Sequence, residues 1–265
     1  MNILQFGSST AICNICRSVD CYPLIHKDGH DVYRCRGCGL VFTHPLPEEL
    51  YEQYDARYFD LYRRRRQFRL KRADARLRQI ELIMRPGKLL DIGCSLGYFL
   101  EAAKSRGWDA WGIDVSDYAV NEARKLGLNV RVGDLEQVGF ETGSFDCVTM
   151  WDVLEHVPDP TSHMREVRRV LATGGLVVIG TPNADHLAFR IKREKWRHFK
   201  PAEHVYYFGR FSIETLLRNT GFKPVRPSVL APAVFVGHLG ARIRALLSLI
   251  VQPNDVMTVY ARAEE

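Results

Sequence analysis

The alternation of apolar and polar positions divides this chain into unequal parts. Between residues 88 and 180, short runs rich in Val, Ile and Leu alternate with longer stretches whose apolar residues recur every three or four positions. The runs KLLDIGC, DAWGIDV, NVRVGDL, FDCVTMWDV and GLVVIGTP read as strands buried on both faces. Helices are predicted from Tyr98 to Arg106, through Ala123 and through Val170. Strict alternation of strand and helix predicts an α/β domain on a doubly wound parallel sheet. In such sheets a ligand sits beyond the carboxyl ends of the strands, where the strand order reverses, and the first strand-to-helix turn is the usual cofactor seat.

Ahead of residue 88 the pattern changes twice. Leu70, Ala73, Leu77, Ile80 and Met84 follow helical spacing, which predicts a helix docked by one face with its arginines outward, ended by Pro86 and Gly87. Upstream, HPLPEEL breaks regular structure, and Tyr51, Tyr54, Tyr58, Phe59 and Tyr62 crowd into a patch that needs a surface to cover. Residues 1–45 are too few to bury a core unaided. The reading is therefore a small module at 1–45, a Tyr- and Arg-rich helical linker at 46–87 and a large domain at 88–265.

Composition adds little until charge is located. With 265 residues, 46% hydrophobic and 26% charged, the chain reads as globular, without disorder or fibrous repeats. The net charge of +6 is concentrated at residues 63–78, where nine Lys or Arg stand against Asp74 alone. Arg63 to Arg66 are open to two readings, a solvated helix face or a site for a phosphate-bearing substrate or anionic surface. MNILQFGSST lacks the features of a secretory signal, and no uninterrupted apolar stretch of spanning length follows, so a cytoplasmic location is expected. Residues 231–251, apolar but broken by Arg242 and Arg244, read first as a core or cap helix and second as an interfacial one making peripheral membrane contact.

Cys13-x-x-Cys16 and Cys35-x-x-Cys38 lie eighteen residues apart, the spacing at which two turns each offer two thiolates to one tetrahedral zinc. Four protein ligands leave no open position, so the zinc would be structural, its bonds supplying stability that the small module at 1–45, read as a zinc ribbon, lacks. His26 and His30 are the alternative ligands, and a redox dithiol is the alternative chemistry. Cys21, Cys94 and Cys147 are left over.

The first turn of the large domain, LLDIGCSLGYFL, resembles motif I of the Rossmann-like S-adenosylmethionine-dependent methyltransferases. FDCVTMWDVLEHVPDP and RRVLATGGLVVIGTPN follow in the order that family has, and WRHFKPAEHVYYFGRFSIETLLRNTGF resembles a subgroup found with polysaccharide or secondary-metabolite pathways. The resemblance implies that S-adenosylmethionine lies against Gly93, Cys94 and Gly97, with Asp91 ordering the turn or meeting the cofactor's ammonium group. It further implies that Asp114, followed by Val115, takes the ribose hydroxyls, that Asp134 and the Leu135 amide take the adenine, and that Tyr58 and Trp151 offer aromatic faces. Residues 225–255, where the family varies, would select the acceptor.

Methyl transfer from a sulfonium chiefly requires alignment and exclusion of water. A hydroxyl acceptor adds the need for a base, and His156 and His204 are the candidates, oriented by Glu203 or Asp152. The expected acceptor is a small molecule or glycan intermediate, including a lipid-linked one. Two other functions compete. An RNA or tRNA methyltransferase would need a continuous basic face, and a non-catalytic scaffold would show damage to the glycine turn or the acidic positions, both of which are intact.

Overall fold

The computed structural model describes residues 11–47, 50, 56–225 and 255–264. The large sheet is built from β4 (Lys88–Ile92), β5 (Asp109–Asp114), β6 (Asn129–Val132), β7 (Phe145–Trp151), β8 (Leu171–Pro182), β10 (Phe222–Val225) and β11 (Val256–Ala263). Its order is β10-β11-β8-β7-β4-β5-β6. Strands β4 to β8 run parallel, and β11 lies antiparallel to both its neighbours. From β4 the chain steps out through β5 to β6, then returns to β7 on the other side, so the order reverses at the end of β4. The predicted doubly wound sheet is thus present. Two strands that the alternation up to residue 180 does not reach extend it.

Both faces are covered. On one, Leu89, Cys147, Leu176 and Val178 pack with α2 (Arg66–Glu81) and α3 (Tyr98–Ser105) through Ala73, Leu77, Ile80 and Leu100. On the other, Leu90, Val148, Val177 and Ile179 meet Met164 and Val167 of α6 (Pro160–Val170) and Leu216 of α8 (Arg210–Asn219). Adjacent strand residues pointing to opposite cores explain why these strands read as continuous apolar runs. Between these strands and beyond them also lie α4 (Asp117–Lys125), the single turn α5 (Leu135–Val138) and α7 (Leu187–Lys192).

Upstream of α2 the structure adds α1 (Ala56–Arg64), so the helical linker starts well before Leu70. Its apolar stripe is aromatic: Phe59 is 2% exposed, and with Tyr58 and Tyr62 it packs on Leu96, Tyr98, Tyr118 and Ala119. The tyrosine patch therefore covers the glycine turn and the start of α4. Tyr51 and Tyr54, like residues 231–251, lie outside the described residues.

The arginines do not all face outward as periodicity predicts. Arg76 turns in over the Trp151 ring at 3.8 Å, and burial pulls its guanidinium down to about 10. Arg63 bonds to Asp60 and Tyr118, Arg66 pairs with Glu101, and Asp74 serves both Arg78 and Arg106. Much of the basic run is thus matched by acids of its own fold.

The amino-terminal strands β1 (Cys21–Lys27), β2 (His30–Cys35) and β3 (Val41–Thr43) form a second, antiparallel sheet completed by β9 (Tyr206–Tyr207) from the large domain. Val41 pairs with Tyr207 and Phe42 with Tyr206. Cys13, Ile15, Leu40 and Phe42 belong to the same apolar cluster as Phe208 and Leu216, so the small module shares the large domain's core. Among the described residues no helix is long and apolar enough to cross a membrane.

Candidate active site and metal cluster

Beyond the carboxyl ends of β4, β5 and β7 lies a cleft of about 1190 Å³. Tyr58, Asp91, Gly93, Cys94, Asp114, Val115, Asp134, Leu135, Trp151, His156 and His204 all line it, so residues spread over nearly 150 positions of sequence meet in one cavity. Gly97 is the exception. It precedes α3 with φ of 78°, and a Cβ there would meet Leu128 Cδ1 at 2.4 Å; its bareness serves helix packing, not the cleft wall.

Gly93 does line the cleft. Its φ is 69°, and a Cβ would lie 2.5 Å from Val153 Cγ2, so the turn offers bare backbone on the cavity floor. Asp114, at the end of β5, accepts from the Ser95 amide at 2.7 Å and the Ser116 amide at 2.9 Å. Each carboxylate oxygen has a second lone pair left for a hydroxyl donor. Burial raises the Asp114 carboxyl, and the two amides oppose that rise.

Asp91 is fully enclosed. It accepts from Thr149 Oγ1 at 2.6 Å, and burial pushes it up to about 7 although Thr149 and Arg76 pull the other way. Asp134 is exposed at the start of α5, where Oδ1 caps the helix by accepting from the Gln137 amide at 2.8 Å. Trp151 packs between Arg76 and Phe99, whose ring centroid is 5.5 Å away. Tyr58, also in the cleft lining, joins its hydroxyl to that of Tyr62 at 3.1 Å.

His156 and His204 stand together with ring centroids 4.6 Å apart. His156 ends the 3₁₀ turn Leu154–His156 and donates Nδ1–H to the Glu203 carbonyl at 2.8 Å, so its lone pair is on Nε2. Glu203 thus orients His156 through its backbone; its carboxylate turns away to Lys200 at 3.1 Å. Burial lowers both imidazoles, His204 to about 2, with the neighbouring His156 contributing. A nitrogen that basic only in strong acid is a weak proton acceptor near neutrality.

Sequence reasoning passed over Glu155. Its side chain is 0% exposed, Oε2 accepts from Thr181 Oγ1 at 2.9 Å, and burial together with Asp152 raises it to about 8. The available signal was an acid beside His156 in an otherwise apolar turn. Asp152, next to β7, holds a φ of 58°, a left-handed conformation that a non-glycine residue adopts at a cost.

At the cysteine metal candidate, the Sγ atoms of Cys13 and Cys38 are 3.5 Å apart, those of Cys16 and Cys35 are 3.4 Å apart, and all four lie within 4.8 Å of one another. Tetrahedral zinc with bonds of about 2.3 Å needs sulfur edges near 3.8 Å, so these thiols fit the ion. Neither His26 nor His30 joins the cluster; His26 Nδ1 pairs with Asp31 at 2.6 Å.

A family model described as a methyltransferase domain matches residues 62–226. The chain belongs to that methyltransferase family. Its fold is that of a SAM-dependent methyltransferase from Archaeoglobus fulgidus, at a TM-score of 0.56 and 21% identity over 77% of this chain and 99% of that one. A ubiquinone biosynthesis O-methyltransferase of Xanthomonas oryzae pv. oryzae is 38% identical over 39% of this chain and 46% of its own length. A 37.1 kDa protein of transposon TN4556 from Streptomyces fradiae is 33% identical over 62% of this chain and 47% of its own length. The methyltransferase chain thus spans about half the length of these relatives. The matched segment begins inside α1, so the family's domain includes the helices over the cleft.

Proposed function

We propose that the chain transfers a methyl group from S-adenosylmethionine to a hydroxyl oxygen of a small-molecule or glycan acceptor, lipid-linked acceptors included. The observation that carries this is one cavity with two unlike ends: bare backbone at Gly93 beside the Asp114 carboxylate, and the imidazole pair of His156 and His204. The first end suits an adenosine ligand, because Asp114 keeps lone pairs for ribose hydroxyls while its amide bonds fix it in position. Bound there, the cofactor would supply an electrophilic methyl on a sulfonium. The second end suits an acceptor losing a proton. Of the two histidines, His156 is the better base, since its Nε2 lone pair is fixed by the Glu203 carbonyl and His204 is the more strongly lowered.

The name of the Xanthomonas oryzae relative, an O-methyltransferase, supports oxygen as the acceptor atom. The four-thiol cluster we assign to structural zinc in a module at 1–45, joined through the linker at 46–87 to the catalytic domain from 88 onward. Thiols held for a metal fit a reducing, cytoplasmic setting. Nucleic acid is the weaker substrate, because the acids Asp60, Asp74 and Glu101 answer much of the arginine run.

Calorimetric titration with S-adenosylhomocysteine tests the cofactor half, and radiolabelled methyl transfer to a panel of hydroxylated small molecules tests the acceptor half. Saturable binding lost in Asp114→Ala is expected. No binding by the wild type would end the proposal.

A further inference from the structure

Glu155, His156 and His204 each offer one ligand atom, and these atoms lie within 4.8 Å of one another on the wall of the cleft. Three features separate this cluster from an ordinary buried hydrogen-bond network. Glu155 Oε1 is buried and meets no hydrogen-bond partner, and neither does His204 Nδ1. Native folds rarely leave such atoms unanswered, since each one costs its full desolvation. His156 donates Nδ1–H to a backbone carbonyl, the arrangement that turns the Nε2 lone pair of a metal-bound imidazole toward its ion. Thr181 likewise ties down the other oxygen of Glu155. Asp152, held at φ of 58° three residues before Glu155, brings a further carboxylate to the lining of the same cleft.

We propose that Glu155, His156 and His204 bind a divalent first-row cation at the acceptor end of the cleft. Two imidazoles and one carboxylate favour first-row ions, borderline Fe²⁺, Co²⁺ or Zn²⁺ and also the harder Mn²⁺, over Mg²⁺, and three protein ligands leave positions open, unlike the four-cysteine cluster. The inference rests on the methyltransferase reading for its consequence. An acceptor hydroxyl displaces water from the cation, the cation lowers the hydroxyl's pKa, and the proton leaves to bulk water, giving an anionic oxygen as nucleophile. With the cation bound, the His156 lone pair is taken up as a ligand, and the cation replaces His156 in the base role proposed above. The acceptor class narrows to molecules that can bind a metal through oxygen, such as those with two vicinal hydroxyls.

The test uses the full chain with its ribbon zinc in place, freed of loosely held metal and titrated with Mn²⁺ while free Mn²⁺ is read by electron paramagnetic resonance. Hard Mn²⁺ leaves the thiolate site alone. Saturable binding is expected, weakened about tenfold or more in Glu155→Gln and in His204→Gln, with S-adenosylhomocysteine binding retained as proof of fold. Should a variant not fold, electron spin-echo modulation on the wild type decides: ¹⁴N coupling from bound imidazole supports the site, and bound Mn²⁺ without it overturns the site. Absence of saturable binding, or equal binding by both folded variants, also overturns it. Full methyl transfer by metal-free protein would sink the cation and leave the methyltransferase standing. Failure of the wild type to bind S-adenosylhomocysteine would instead remove the methyltransferase reading, while the Mn²⁺ result stood by itself.

Discussion

Val205 donates its amide to the Glu155 carbonyl at 2.9 Å, and its own carbonyl accepts from the Thr43 amide at 2.9 Å. One residue therefore couples the ribbon's last strand to the turn that carries Glu155 and His156. Asn14, between the first two cysteines, reinforces the link by bonding to Asp159 at 3.1 Å and Thr161 at 3.1 Å. The cysteine module thereby holds the His156–His204 end of the cleft, proposed above for the acceptor, and leaves the Gly93–Asp114 end to the sheet. Thr43→Val removes the hydroxyl bond to the Pro201 carbonyl and should cost about 1 kcal/mol in denaturant unfolding. It should also raise the acceptor KM while leaving S-adenosylhomocysteine affinity within about twofold. A variant that changed only the latter would contradict this division of labour.

Zinc should be found by elemental analysis at about one ion per chain and be lost when Cys35 and Cys38 are replaced by Ser. Because Cys35 and Cys38 sit in the main apolar cluster, the loss should lower the melting temperature of the whole protein and produce no separate ribbon transition. Two well-resolved transitions in calorimetry would argue that the module is independent.

Asp114→Ala removes the proposed ribose acceptor and also strands the Ser95 and Ser116 amides. Affinity for S-adenosylhomocysteine should fall at least about tenfold, the equivalent of losing one charge-assisted hydrogen bond. Calorimetry reads this directly; unchanged affinity would remove Asp114 from the site.

Gly93→Ala meets two obstacles, the left-handed backbone and the Val153 methyl at 2.5 Å. A loss of roughly 1–3 kcal/mol is expected. Val153→Ala in the same chain should restore part of it by relieving the clash, but not the part due to φ. Full recovery in urea melts would show that only the clash mattered.

Burial raises Asp91 from its ordinary value of 3.8 to about 7, against the pull of Thr149 and Arg76. Across that window the folded chain keeps a proton that the unfolded chain has lost. Its contribution to stability is thus fully present below about pH 4 and is lost as the pH rises through 7. Asp91→Asn, which cannot titrate, should show a shallower fall in unfolding free energy between pH 5 and 8 than the wild type. Parallel profiles would contradict the shift.

Local pattern determined the elements of this protein: the apolar runs that became β4 to β8, the helix over Ala73, Leu77 and Ile80, the glycine turn at Gly93, the acids at strand ends and the paired cysteines. These depend on periodicity, backbone freedom and short spacing, all of which lie within a few neighbouring residues. The antiparallel β11 escaped because its place between β8 and β10 is fixed by partners distant in the chain. Which way Arg76 points, that Gly97 serves packing, and that Glu203 acts through its carbonyl are likewise decided by what surrounds each group. The union of Glu155, His156 and His204 is tied to the pairing of residues 41–43 with 205–207, a contact between distant parts of the chain whose loop-closure cost only the assembled core repays.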